Sequence, residues 1–137
     1  MQIIIAIDPG RDKCGLAVVS LQGEALQLEL AKRRDLLPKL VALIDKWQEG
    51  YAIKIVIGNG TEHKQVLQEL VPIAAEWQIQ IVEEYGTTLA ARDLYWQHNK
   101  AKWWEQLIPE GWRSTPPLDA YAAWAIAKVY IKCYSSC

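Results

Sequence analysis

The order of apolar and polar positions predicts a sheet that opens with three antiparallel strands. Residues 2–7 are an almost unbroken apolar run rich in β-branched side chains, which is typical of a strand buried on both faces. An Asp-Pro-Gly turn at residues 8–10 ends this strand, and a second strand is predicted over residues 14–20. A turn at residues 21–24 leads to a third strand, residues 25–30, in which leucine alternates with glutamine and glutamate. We expect these three strands to pair as a meander.

Beyond the third strand the apolar positions change to helical spacing. They recur every three or four residues from Leu36 to Trp47, and Asp35 is the expected N-cap. A second helix is expected to begin near Thr61, with Thr61 as its N-cap, and to be kinked or split at Pro72. The inward face of this second helix is predicted to hold Val66, Leu67, Leu70, Ile73 and Ala74.

Short apolar strands alternate with the predicted helices in the rest of the chain. Residues 53–57 and 79–82 are the expected fourth and fifth strands, a further helix follows residues 87–88, and a last helix spans residues 118–130. Helices between strands require crossover connections, so the later strands should run parallel to the first. The sequence therefore predicts one α/β domain over residues 1–137, with a mixed five-stranded sheet and helices on both faces.

The composition is that of a globular protein, and it limits which classes of function are expected, from membrane proteins to nucleic-acid binders. Hydrophobic residues make up 51% of the chain and charged residues 23%, which separates it from disordered sequences. Since no apolar segment is long enough for a membrane span or a secretory leader, we expect a cytoplasmic protein without a membrane partner. The formal net charge is −1, so any nucleic-acid binding has to come from local basic clusters.

The cysteines and histidines do not follow the spacing of a zinc site. Cys14 lies in the second predicted strand, where a cysteine is expected to pack as a small hydrophobe. Cys133 and Cys137 lie near the end of the chain, and His63 and His98 are far apart in sequence. A zinc site is therefore not expected.

Acidic residues stand where ligands bind in sheets of this kind. Asp8 ends the first strand and Glu83-Glu84 follows the fifth, and the carboxyl ends of parallel strands share one edge. Asp119 begins the last helix, whose small residues would let it approach the sheet near Asp8. Carboxylates are natural ligands of Mg²⁺ or Mn²⁺, and a pair of such ions can support phosphodiester cleavage. The alternative is that Asp8 caps its turn, Glu84 is a solvated charge and Asp119 is a helix-capping acid.

Two glycine loops at the same edge are candidate phosphate-binding sites. The first, residues 8–15, turns tightly and supplies two cations. The second, residues 58–61, precedes a helix N-terminus and is followed by a lysine one turn into that helix. Neither loop completes a nucleotide-binding fingerprint. The candidate substrate-binding residues are Gly10, Arg11, Lys13, Asn59, Gly60, Thr61 and Lys64.

Basic and aromatic residues are concentrated in two further places. A basic run, residues 32–34, ends the third strand, and residues 100–117 combine lysine and arginine with three tryptophans. Tryptophans among cations can stack on unpaired bases. Tryptophans more often pack in a core or at a subunit interface. A homodimer is therefore one assembly that the sequence allows.

Several segments, in order along the whole chain, resemble one known family. The similarity lies in IIIAIDPG at residues 3–10, GLAVV at 15–19, IVIGNGT at 55–61, EEYGTTLAA at 83–91 and DAYAA at 119–123. These segments are similar to motifs of the RuvC-like resolvases within the RNase H-like superfamily. The nearest branch is the YqgF-type family of Holliday junction resolvases, whose members are also described as nucleases that mature the small-subunit ribosomal RNA precursor.

The resemblance implies a Mg²⁺-dependent nuclease that hydrolyses phosphodiester bonds in structured RNA or DNA, in ribosomal RNA precursor processing or in junction resolution. It implies that Asp8, Glu84 and Asp119 are catalytic, metal-binding acids and that nucleic acid is the partner. Three positions depart from the family pattern: Glu83 stands where the family has an aspartate, Tyr85 replaces an arginine, and Ala122 stands where junction resolvases carry a fourth acid.

These departures keep a second hypothesis open, a non-catalytic RNase H-like module that binds nucleic acid or a protein partner. A third, a nucleotide-binding protein of the actin and sugar-kinase type, shares the Asp-x-Gly pattern at residues 8–10. Such proteins need two domains of this kind to enclose a nucleotide, and this chain has room for one. We therefore expect one of the first two functions.

Overall fold

The structure, a computed structural model, describes residues 1–83 and 118–135. Five strands form one sheet in the order β3-β2-β1-β4-β5. They are β1 (Gln2–Asp8), β2 (Lys13–Ser20), β3 (Ala25–Lys32), β4 (Ala52–Gly58) and β5 (Ile79–Val82). The β1–β2 and β2–β3 pairs are antiparallel, whereas β4 is parallel to both β1 and β5. The predicted mixed sheet and its opening meander are confirmed.

Helices cover both faces of this sheet, as predicted. In the described part of the chain they are α1 (Leu36–Trp47), α2 (His63–Glu69), α3 (Val71–Ala74) and α4 (Leu118–Ser135), with a 3₁₀ turn at Arg33–Asp35 before α1. Residues of α1 and α2 pack on one face and residues of α4 on the other. None of these described helices is both long and apolar enough to cross a membrane.

The region of α2 and α3 follows the prediction in one respect and departs from it in two. The predicted helix is split, with Pro72 in the first turn of α3, where its missing N–H costs no hydrogen bond. Glu62, not Thr61, occupies the N-cap position of α2, because the backbone N–H of His63 donates to the Gly60 carbonyl at 3.0 Å and closes a turn first. The inward position predicted for Ala74 is wrong: this residue is exposed at the end of α3.

Each face of the sheet has its own apolar core, because alternate residues of β1 point in opposite directions. Ile3, Ile5 and Ile7 belong to the core beneath α1 and α2. Ile4 and Ala6 belong to the core beneath α4. All five side chains are at most 1% exposed, so β1 is buried on both faces as its continuous apolar run predicts.

Two tryptophans attach helices to the β2–β3 hairpin. Trp124 of α4 donates its indole N–H to the Gly23 carbonyl at 2.9 Å. Gly23 has a φ of +89°, a conformation that a residue with a Cβ rarely adopts, and it forms the hairpin turn. Trp47 of α1 donates to Gln27 Oε1 at 3.2 Å on the other face. Both helices are thus hydrogen-bonded to the hairpin as well as packed against the sheet.

Candidate active site

The carboxyl ends of the three parallel strands lie side by side at one edge. Ile7 pairs with Ile57, and Gly58 pairs with Val82, so Asp8, Gly58 and Glu83 follow each other across the sheet. The predicted common edge is thereby confirmed for Asp8, for the loop after β4 and for Glu83. The predicted acid Glu84, which follows Glu83, lies outside the described residues.

Asp8 lies on the α4 face of the sheet. It follows the alternation of Ile4 and Ala6, both of which belong to the α4-side core. Asp8 is half-buried, and its cross-strand partner in β2 is Gly15. A carboxylate at this place is held by a rigid strand and is still open to solvent on one side.

Gly15 is the point at which the last helix touches the sheet. A Cβ on residue 15 would overlap the backbone carbonyl of Asp119 and would lie 2.8 Å from the Ala120 backbone nitrogen. Only a glycine allows this approach, and the buried Ala120 and Ala123 extend it along α4. The first turn of α4 is therefore seated on the strand beside Asp8. The Asp119 side chain is exposed at this place.

The loop after Asp8 is held by Arg33. One Arg33 nitrogen, Nη1, donates to the Gly10 carbonyl at 2.9 Å and to the Arg11 carbonyl at 3.2 Å. The Arg33 Nε donates to Glu69 Oε2 at 2.6 Å, and Glu62 Oε2 lies 3.5 Å from Nη1. One guanidinium thus joins the loop between β1 and β2 to helix α2 and to the residue before it.

This arrangement changes the interpretation of the basic run at residues 32–34. The Arg33 side chain is only 15% exposed, and the hydrogen bond to Glu69 is the main cause that raises its pKa. Lys32 and Arg34, in contrast, are exposed. Arg33 is therefore committed to contacts within the protein, and no local sequence pattern shows this because Glu69 is 36 residues away.

Cys14 lies beneath the same loop and is buried, as predicted. Burial raises the pKa of its thiol, and the charges of Asp8 and Glu69 act in the same direction. A backbone hydrogen bond with Gly10 and the charge of Arg33 oppose this increase. The thiol is neutral near pH 7, which disfavours a role as a nucleophile or metal ligand.

The candidate substrate-binding residues lie on the two loops at the common edge and at the first residues of the elements that follow, with Lys13 at the start of β2 and Lys64 in the first turn of α2. Their side chains are exposed at Arg11, Lys13, Asn59, Thr61 and Lys64, whereas Gly10 and Gly60 are half-buried. The Gly10 carbonyl is occupied by Arg33, and the Gly60 carbonyl lies 2.7 Å from His63 Nδ1. The accessible groups of these loops are therefore the exposed side chains.

The donor chemistry of the site fits a hard divalent cation. Within residues 1–83 and 118–132 no cluster of three or more acid, cysteine or histidine side chains is arranged to hold a metal ion. Mg²⁺ commonly takes one or two protein carboxylates and completes its shell with water and substrate phosphates. Asp8 and the first turn of α4, which carries Asp119, lie on the same face of the sheet, and carboxylates of this kind fit as Mg²⁺ or Mn²⁺ ligands.

Comparison with known proteins identifies the fold. The sequence matches no protein-family model and no curated protein. The chain has the mixed sheet and flanking helices of the RNase H-like α/β class. Within that class it is similar to RuvC of Thermus thermophilus. The structure of that protein in complex with a Holliday junction substrate gives a TM-score of 0.64 at 14% identity and covers 99% of this chain and 97% of that one.

A second Thermus thermophilus RuvC structure gives a TM-score of 0.62 at 13% identity. That match covers 98% of this chain and 97% of the RuvC chain. The similarity therefore spans nearly the full length of both chains in each case. At this level of identity it establishes a RuvC-like fold.

Proposed function

We propose that this chain is a Mg²⁺-dependent nuclease of the YqgF type, which hydrolyses phosphodiester bonds in structured RNA or DNA. Asp8, Glu84 and Asp119 are its catalytic acids and hold the metal. One observation carries the proposal: α4 is seated on Gly15, so the backbone of Asp119 touches the strand beside Asp8 at the carboxyl edge of the sheet.

The chain's own residues fix the geometry of this site. Bound Mg²⁺ or Mn²⁺ would supply a water of lowered pKa and would stabilise the leaving oxygen. Asp8 is positioned by a strand buried on both faces, and Arg33 holds the loop that follows. Because this support is rigid, the metal-binding oxygens need little reordering when a substrate phosphate arrives.

Nucleic acid is the proposed partner. A RuvC of the same fold is described in complex with a Holliday junction substrate. Three cations near the carboxyl ends of β1 and β4 are exposed: Arg11 lies in the loop after β1, Lys13 begins β2, and Lys64 lies in the first turn of α2. We further propose ribosomal RNA precursor processing or junction resolution in the cytoplasm as the setting, with a homodimer as the assembly to test.

The test is cleavage of a labelled synthetic four-way DNA junction and of a labelled RNA stem–loop in Mg²⁺. Asp8→Asn, Glu84→Gln and Asp119→Asn should each lower the cleavage rate by about a hundredfold or more, as expected for loss of a metal ligand. Asp45→Asn is the matched control, since Asp45 is exposed on α1 at the other face of the sheet. The thermal transition of Asp8→Asn should match that of the wild type.

Unchanged cleavage by Asp8→Asn would contradict the nuclease proposal. A specific alternative is a module that binds nucleic acid or a protein without cutting. It is favoured by Ala122, which is half-buried in α4 where junction resolvases carry a fourth acid. In that case the wild type would bind one of the two probes, or a protein partner, and cleave neither probe in Mg²⁺ or Mn²⁺.

A further inference from the structure

Lys13 and Lys32 face each other across the β2–β3 ladder as its last pair. The backbone N–H of Arg33 donates to the Asp12 carbonyl at 2.9 Å, one position outside this pair. That bond makes the two lysines a non-hydrogen-bonded pair, the type in which antiparallel side chains come closest. Two like charges directly opposite each other destabilise a sheet.

Neither lysine forms an ion pair with another residue of the part of the chain that the structure describes. Each side chain is exposed. Two lysines of α1 differ in this respect: Lys39 donates to the Leu30 carbonyl at 2.8 Å, and Lys46 donates to Gln27 Oε1 at 2.9 Å. A pair of directly opposed lysines without an ion-pair partner among the described residues is therefore a feature of this end of the hairpin.

The lysine pair lies on the same face of the sheet as the candidate acids. Lys13 is two residues from Gly15, and Lys32 is two residues from Leu30, the partner of Gly15. Side chains two positions apart in a strand share a face, so both lysines are on the α4 face. The Cα of Lys13 is about 7 Å along β2 from Gly15, which pairs with Asp8.

We propose that Lys13 and Lys32 together bind one backbone phosphate of the polynucleotide, next to the phosphodiester group that is hydrolysed at the acids. An anion between the two ammonium groups converts their repulsion into attraction to a common partner. Phosphate contacts of this kind fix the register of a nucleic acid without reading its sequence. The proposal extends the proposed nuclease function and concerns how that site positions its substrate.

The test is equilibrium binding of a fluorescein-labelled synthetic four-way DNA junction and of a labelled RNA stem–loop, in EDTA and over a range of salt concentrations. The Lys13→Gln/Lys32→Gln variant should bind about tenfold more weakly at 0.1 M salt than the wild type. Its log–log salt dependence should be shallower by about one unit, which corresponds to one lost phosphate contact.

Two further variants separate this contact from net charge and from folding. Lys39→Gln/Lys46→Gln removes the same charge from α1 on the other face, and its salt dependence should equal that of the wild type. Lys32→Glu places an acid opposite Lys13, so the melting temperature should stay the same or rise while binding weakens. If Lys32 had a role only in the stability of the hairpin, this substitution would not weaken binding while it kept or raised the melting temperature.

An unchanged salt dependence in Lys13→Gln/Lys32→Gln, or an equal change in the α1 control, would overturn the proposal. Absence of wild-type binding to both probes would overturn it too. Because binding is measured in EDTA, these outcomes are independent of cleavage. Failure of the Asp8→Asn test would overturn the nuclease assignment and leave the lysine contact measurable.

Discussion

The backbone carbonyl of Asp119 lies directly against the Cα of Gly15. This contact joins the helix that carries one candidate acid to the strand that pairs with the other, since Gly15 is the cross-strand partner of Asp8. The contact depends on the absence of a side chain at residue 15. The geometry of the site and the packing of α4 therefore both depend on the contact between Gly15 and the Asp119 backbone.

Gly15→Ala should displace α4 and destabilise the protein. The added methyl group meets backbone atoms, which cannot rotate away, so we expect a loss of about 1–3 kcal/mol in the free energy of unfolding. Gly50→Ala is the matched control, because no heavy atom lies within 4 Å of a Cβ at residue 50. Urea denaturation measures both. Equal stability of the two variants would contradict the close seating of α4.

Arg33→Lys should loosen the loop that follows Asp8, although it keeps the charge. A lysine has one ammonium group and cannot reach the Gly10 and Arg11 carbonyls and Glu69 with separate nitrogens. We expect a loss of about 2 kcal/mol in the free energy of unfolding. Exchange of the Arg33 side-chain hydrogens should also be slow in the wild type, and NMR can follow it.

Arg34→Lys is the matched control for this substitution. Arg34 is the exposed neighbour of Arg33, so its replacement should leave stability within about 0.5 kcal/mol of the wild type. If Arg33→Lys were as neutral as Arg34→Lys, the loop would not depend on the guanidinium. The structure predicts a clear difference between the two.

Because the Cys14 thiol is buried, we predict that it makes the protein less stable at alkaline pH. Burial raises the pKa of its thiol above 9.0, so the unfolded chain loses this proton at a lower pH than the folded protein does. The stability that the protonated Cys14 thiol contributes is complete below about pH 9. It is lost as the pH rises through the pKa of this thiol in the folded protein. Between about pH 8 and pH 10, the free energy of unfolding should therefore fall more for the wild type than for Cys14→Ala. An equal fall in both would contradict the buried, neutral thiol.

The secondary structure followed mainly from local patterns. The apolar run before Asp8 and the alternation in β3 predicted strands, and Pro72 predicted the break between α2 and α3. These features depend on residues close in sequence, so the chain shows them without its fold. The start of α2 did not follow, because the Gly60 carbonyl accepts the backbone N–H of His63 before Thr61 can cap the helix.

The candidate site was predictable as a set of residue types but not as an arrangement. A carboxylate after a buried strand identified Asp8, and the small residues of α4 indicated that Asp119 approaches the sheet. That Gly15 is the contact point required the register of β1 against β2. Whether Glu84 joins them is still a prediction.

The sequence by itself determined which segments are strands and helices and which acids stand at their ends, because these depend on periodicity and turn chemistry. Only the tertiary structure assigned Arg33 to the loop after Asp8 and left Lys13 and Lys32 opposite each other. Residues 33 and 69 meet where the 3₁₀ turn after β3 reaches the end of α2, and residues 13 and 32 meet through strand register. Contacts over such separations depend on the whole fold, which no short stretch of sequence encodes.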